Sequence, residues 1–214
     1  NARRKSLVAI TNYGTLKTEL AEFLNRTDLT AIIPTFITFA HNKLNRDLRT
    51  REMVARATAN ISSEYNAFPP NFLQIRDIRL NTTPPVALQQ VSTEEQNQNR
   101  ERRGDTAGRP RLYSVIGESF QVFPTPSSAV ECEIAFYEKI PAMTADADYN
   151  WLLTKSPEIY LYGALVHSAP YLKDDERIVL WQTLYRDIFN SLTLEDTKSR
   201  FGGTTPRMRA RSFG

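Results

Sequence analysis

Along residues 15–24 the apolar side chains of Leu16, Leu20, Phe23 and Leu24 recur at three- and four-residue intervals, with Glu19 and Glu22 between them. That spacing predicts an amphipathic helix with a buried apolar stripe and outward glutamates. A short turn capped by Thr27 or Asp28 follows. Pro34 then suits the first turn of a second helix, where its missing N–H is no loss. Ile33, Phe36, Ile37, Ala40, Leu44 and Leu48 mark that helix's buried face.

From Met53 the period changes to two. Met53, Ala55, Ala57, Ala59 and Ile61 alternate with Arg56, Thr58 and Asn60, as in a half-buried strand. "YNAFPPNF" breaks the alternation. "FLQIRDIRL" and "VALQQV" read as two short strands around the turn "NTTPP", and "RLYSVIGESFQVFP" as a hairpin turning at Gly117-Glu118. In "VECEIAFYEKI", Val130, Cys132, Ile134 and Phe136 share one face. The polar stretch from Ser92 to Pro110 reads as a solvated helix capped by Ser92 and then a loop.

Helical spacing returns near the C-terminus. Ser156 as N-cap and Pro157 at the first helical position start one helix. Its stripe is Ile159, Tyr162, Leu165, Val166 and Ala169, and Pro170 ends or kinks it. Tyr160 falls off the stripe, free for solvent or a neighbouring subunit. Asp174, Asp175 and Glu176 open the next helix, at the end where carboxylates suit the helix dipole. Ile178, Trp181, Leu184, Tyr185, Ile188 and Leu192 form its stripe. Tyr162, Leu165, Trp181 and Tyr185 thus face one another across an interhelical seam. The fold expected is α+β. Helices in 13–50 and 150–198 form a bundle, an antiparallel β lobe spans 51–149 with a polar loop at 92–111, and 199–214 is a flexible C-terminal arm.

Charge changes the picture at the ends. Removing Arg3, Arg4, Lys5, Lys198, Arg200, Arg207, Arg209 and Arg211 from the net +3 leaves the intervening body at −5. A DNA-binding domain usually carries positive charge on its folded body. Here the charge sits in the ends, so a nucleic-acid-binding module using basic termini is the alternative reading. The basic first residues precede no apolar h-region, so no secretory signal is expected. No run approaches the roughly 18 apolar residues of a membrane span.

Candidate chemistry is sparse. One cysteine and two histidines argue against a disulfide framework and a structural zinc site. Cys132 lies on the apolar face of a strand, His41 within an apolar helix as a helix-surface or boundary residue, and His167 in a packed helix. "RGD" at 103–105 is too short to carry weight, and no glycine loop carries the Lys-Ser/Thr pair of a phosphate site. No catalytic residue, metal or cofactor is expected, and the chain reads as a non-enzyme.

Two segments carry a resemblance. "YGTLKTELAEFLNRTDLTAIIPTFITFAHNKLNRDLRTREM" is similar to the opening of tailed-phage head–tail adaptor (connector) proteins. The succession of "GRPR", a hairpin ending in "PTP", "YEKIP", and "NWLLTKSPEIYLYGALVHSAPYLKDDE" resembles the same family over nearly the whole chain. The resemblance implies a virion structural protein at the head–tail junction, made in the host cytoplasm. It implies a twelve-fold ring of copies beneath the portal protein, contacts with tail or nozzle proteins, and a channel passing genomic DNA without sequence-specific binding. It also implies a C-terminal arm that inserts into portal grooves. Phe201, Met208 and Phe213 would serve as apolar anchors and Arg200, Arg207, Arg209 and Arg211 as partners for portal carboxylates. No membrane contact is implied.

Overall fold

The apolar periodicities resolve into six α-helices and eight strands among the described residues. The structure, a computed structural model, describes residues 9–26, 28–104, 107–172 and 176–201, with Phe201 in its backbone alone. The chain divides into two compact units, residues 1–51 with 140–214 and residues 52–139. The class is α+β, with helices at both ends and the strands between them.

The helical unit contains α1 (Tyr13–Leu24), α2 (Ile33–Asp47), α4 (Trp151–Lys155), α5 (Pro157–His167) and α6 (Arg177–Phe201). A capping box starts α1: Asn12 Oδ1 accepts from Thr15 N at 2.9 Å, and Thr15 Oγ1 accepts from Asn12 N at 3.0 Å. Two further first-turn donors, Tyr13 N and Gly14 N, reach the carbonyls of Asp148 and Asp146. That stitches α1 to the 144–148 turn, which Asp148 folds by accepting from Thr144 N and Ala145 N, both at 2.7 Å. Helix α2 buries Ile33, Phe36, Ile37, Ala40 and Leu44 on the expected stripe.

Helix α5 sits at the centre, packed against α1, α2, α4 and α6. A helix enclosed on several sides has no single apolar stripe, and here the expectation fails. Tyr160 is fully buried and Tyr162 only half-buried, the reverse of the periodicity reading. Ser156 does stand at the N-cap, but its hydroxyl donates to Glu158 Oε1 at 2.7 Å instead of capping a backbone N–H. Glu19, expected outside, is 2% exposed on α1. In α6 the expected stripe holds, with Trp181, Tyr185 and Leu192 buried. Asp196 extends it one turn, accepting from Arg51 N and Arg200 Nε, both at 2.7 Å.

The second unit is a pair of facing sheets. One has the order β1 (Val54–Ile61), β8 (Val130–Glu138), β3 (Phe72–Leu80), β4 (Val86–Ala87) and is antiparallel throughout. The other runs β2 (Tyr65–Ala67), β7 (Ser119–Phe123), β6 (Leu112–Ile116), β5 (Gln89–Gln90). Its β5–β6 pair is parallel, while β2–β7 and β6–β7 are antiparallel, as expected of the lobe. "VALQQV" is therefore not one strand: β4 joins the first sheet and β5 the second. Ile61, Ile78, Ile134 and Phe136 from one sheet meet Tyr113, Phe120 and Val122 from the other in one core. Phe68 and Phe72 stack at 3.9 Å and bridge Phe120 to Phe136. Gly117 turns the β6–β7 hairpin at φ 57°, a backbone region that suits glycine.

Ser92 caps α3 (Thr93–Arg103) by accepting from Glu95 N at 3.1 Å. This helix occupies more of the polar stretch than expected and is not wholly solvated, since Gln96 is fully buried. Glu64 accepts from Arg100 and from Gln121 Nε2, forming a polar layer between α3, β7 and the turn before β2.

Candidate interaction surfaces of the helical unit

The seam between α5 and α6 depends on a close approach. A Cβ on Gly163 would lie 3.1 Å from Ala40 Cβ and 3.2 Å from Tyr185 Cε2, so glycine lets α2 and the Tyr185 ring press onto α5. Leu165, Trp181 and Tyr185 are buried in this unit as expected, and Tyr162 is half-buried.

Behind the seam runs a polar chain that periodicity could not show. Ile140 N donates to Asn45 Oδ1 at 2.8 Å, which fixes the amide so that Asn45 Nδ2 donates to His41 Nε2 at 3.0 Å. His41 therefore carries its proton on Nδ1 and donates to Tyr160 Oη at 3.1 Å. Asn150 Nδ2 also donates to Tyr160 Oη, at 3.0 Å, and to the Pro141 carbonyl at 2.9 Å. Burial pushes the His41 pKa down and the Tyr160 hydroxyl up, so both are neutral at pH 7. The chain fixes α2, α4 and α5 together. Both ring nitrogens of His41 are engaged within it.

Two clefts flank α6. On one side Lys43, Gly163, His167, Gln182, Tyr185 and Arg186 line a cleft of about 210 Å³. The Lys43 ammonium stands 5.9 Å from the Tyr185 ring centroid. Tyr185 Oη and His167 Nε2 are buried there with no hydrogen-bond partner among the described residues. Burial, with the Asp47 carboxylate, pushes the Tyr185 hydroxyl up to about 12. Burial, with Lys43 and Arg46 nearby, holds the His167 pKa down. On the other side Glu158, Asp187 and Glu195 line a second cleft with Lys155, which pairs with Glu195 at 3.1 Å. Between the flanks, the outer face of α6 exposes Val179, Leu180 and Leu194. One flank is basic, the other mainly acidic, and the face joining them is partly apolar. None of these charges was singled out from the sequence, although Arg186, Asp187 and Glu195 bracket the apolar stripe at readable positions.

The remaining sequence candidates divide plainly. Arg207, Met208, Arg209, Arg211 and Phe213 lie outside the described residues, as does the Phe201 side chain. Arg200 belongs to the last turn of α6, where it pairs with Asp196 and donates to the Arg49 carbonyl at 3.3 Å. Helix α6 thus continues past 198, the boundary expected for the arm. Asp105 of the RGD tripeptide and the acids Asp174 and Asp175 also lie outside. Cys132 is buried among apolar strands, and burial pushes its thiol up to about 11. Among the described residues, no group of three or more His, Cys, Asp or Glu is placed to hold a metal ion. No described helix is long and apolar enough to cross a membrane.

The family model described as SU10 adaptor protein matches residues 11–210. No curated protein matches the chain.

Proposed function

Because the chain belongs to the SU10 adaptor protein family, whose members are phage structural adaptors, we propose that it forms a ring beneath the portal, joins head to tail and extends the DNA channel. The observation that carries this reading is the family match, which spans both units rather than one of them. In this reading the ring has twelve copies, portal grooves receive the arm that follows Phe201 at the end of α6, and tail proteins bind the opposite side. The charge on the arm suits carboxylates of a portal groove, where each well-placed charge-assisted bond contributes about 1.5–3 kcal/mol.

The α6 flanks support a ring of copies. A basic cleft on one side and an acidic cleft on the other favour head-to-tail contact, and a rotation that closes turns such contacts into a ring. An incoming carboxylate would also give a partner to the unsatisfied Tyr185 hydroxyl. With Lys198 and Arg200 counted in α6, the body carries a net charge of −3, consistent with a channel that passes DNA without gripping it, since a surface dense in Lys and Arg retains phosphates.

Deleting the gene from the phage tests the function. DNA-filled heads that carry portals but no tails, restored by expression in trans, are the expected outcome. Normally tailed, infectious particles without this chain would overturn it.

A further inference from the structure

In the β unit, β4 ends one sheet and β5 ends the other, with only Leu88 between them. Leu88 N donates to the Ile78 carbonyl and Gln89 N to the Arg111 carbonyl, so the chain passes from one sheet to the other within two residues. Both sheet edges therefore arrive at one place. An open cleft of about 420 Å³ lies there, and Val86, Ala87 and Gln89 of the two edge strands line it.

The rest of the lining has two chemistries. Leu112, Phe123 and Pro124 make an apolar wall. Arg103 at the end of α3, with Arg109 and Arg111 of the "GRPR" segment, contributes three guanidinium groups. Among the described residues no Asp or Glu lines the cleft. Arg109 is already oriented, donating to Thr82 Oγ1 and to the Pro84 carbonyl at 3.0 Å.

We propose that this cleft binds an extended, carboxylate-bearing segment of a partner protein, laid along the β4–β5 edge. Edge strands leave backbone N–H and C=O groups unpaired, and an added strand satisfies them. Guanidinium forks match carboxylates in bidentate geometry, while the apolar wall takes the alternate side chains. Duplex DNA fits less well, because its phosphates offer nothing to Leu112, Phe123 and Pro124 and a duplex cannot enter so small a cleft. The chain's own residues 202–214 carry Arg207, Arg209 and Arg211 and no acid, so their charge does not complement the arginines. This site is independent of the ring reading, since every residue in it belongs to the β unit.

The test uses the full chain and a fluorescent eight-residue peptide of alternating Glu and Val. Its Gln–Val counterpart and a 20-base-pair duplex are the comparisons. The Glu peptide binds, the Gln peptide binds at least about tenfold more weakly, and Arg103→Gln and Arg111→Gln each weaken the Glu peptide by about tenfold. Amide resonances of Val86, Ala87 and Gln89 shift on its addition. Equal binding of the two peptides, or binding that Arg111→Gln leaves unchanged, overturns the proposal. Duplex binding that exceeds peptide binding and is lost in the same variants overturns it in favour of a nucleic-acid site.

Discussion

Replacing Tyr160 by phenylalanine keeps the ring and removes one oxygen. That oxygen is the acceptor for His41 Nδ1 at 3.1 Å and Asn150 Nδ2 at 3.0 Å, and the residue is fully buried. Stranding a buried donor costs about 1–3 kcal/mol. Asn150 keeps its second bond, to the Pro141 carbonyl, so its share lies at the low end. His41 Nδ1 has the Tyr160 oxygen as its partner in the chain described above and carries most of the cost. The expected loss is about 2–3 kcal/mol, which for a chain of this size lowers the melting temperature by about 4–12 °C. Scanning calorimetry on Tyr160→Phe and Tyr162→Phe decides the matter, because Tyr162 is half-buried and outside this polar chain. Its substitution should stay within about 0.5 kcal/mol of the parent. A Tyr160→Phe variant as stable as the parent, or a larger loss at Tyr162, would refute the assignment of the network.

Acid should loosen the helical unit. His41 and His167 have folded pKa values held below the ordinary 6.5 by burial, so the unfolded chain binds more protons as pH falls. Their contribution is intact above pH 6.5 and is lost as pH falls from there through the folded values. Urea midpoints from pH 7.5 to 5 should therefore drop, and less steeply in His41→Asn. Gly163→Val should cost about 1–3 kcal/mol through overpacking against Ala40 and Tyr185, read from chemical denaturation. An unchanged midpoint would mean that the seam is loose. Arg186→Glu should weaken association between copies in sedimentation velocity, and adding Asp187→Arg to the same chain should restore it. Association indifferent to both changes would move the subunit contact away from α6.

Where an element has one buried face, its sequence revealed it. The stripes of α2 and α6, the alternation in β8 and the Gly117 hairpin all appear at the residues their periods select. Periodicity failed where burial is not one-sided. Helix α5 is enclosed by four other helices, so Tyr160 and Tyr162 could not be told apart by spacing. Glu19 is buried for tertiary reasons that a stripe does not encode. β2 was hidden because its three residues lie beside Pro69 and Pro70, and "VALQQV" was read as one strand because two-residue strands have no period. The clefts were legible only in part. Arg186 and Asp187 are adjacent in sequence and point to opposite flanks, but Lys43 reaches its cleft from α2, more than a hundred residues away. The arginine cleft of the β unit likewise needs two sheet edges and a helix end to meet.

The central claim, a ring docked on the portal, is tested most directly by the mass of the complex that the cognate portal ring forms with this chain. About twelve copies per portal ring are expected, with docking lost for a chain ending at Phe201, where α6 ends. A portal ring that binds no copies, while the chain binds duplex DNA in a steeply salt-dependent way, would contradict the account.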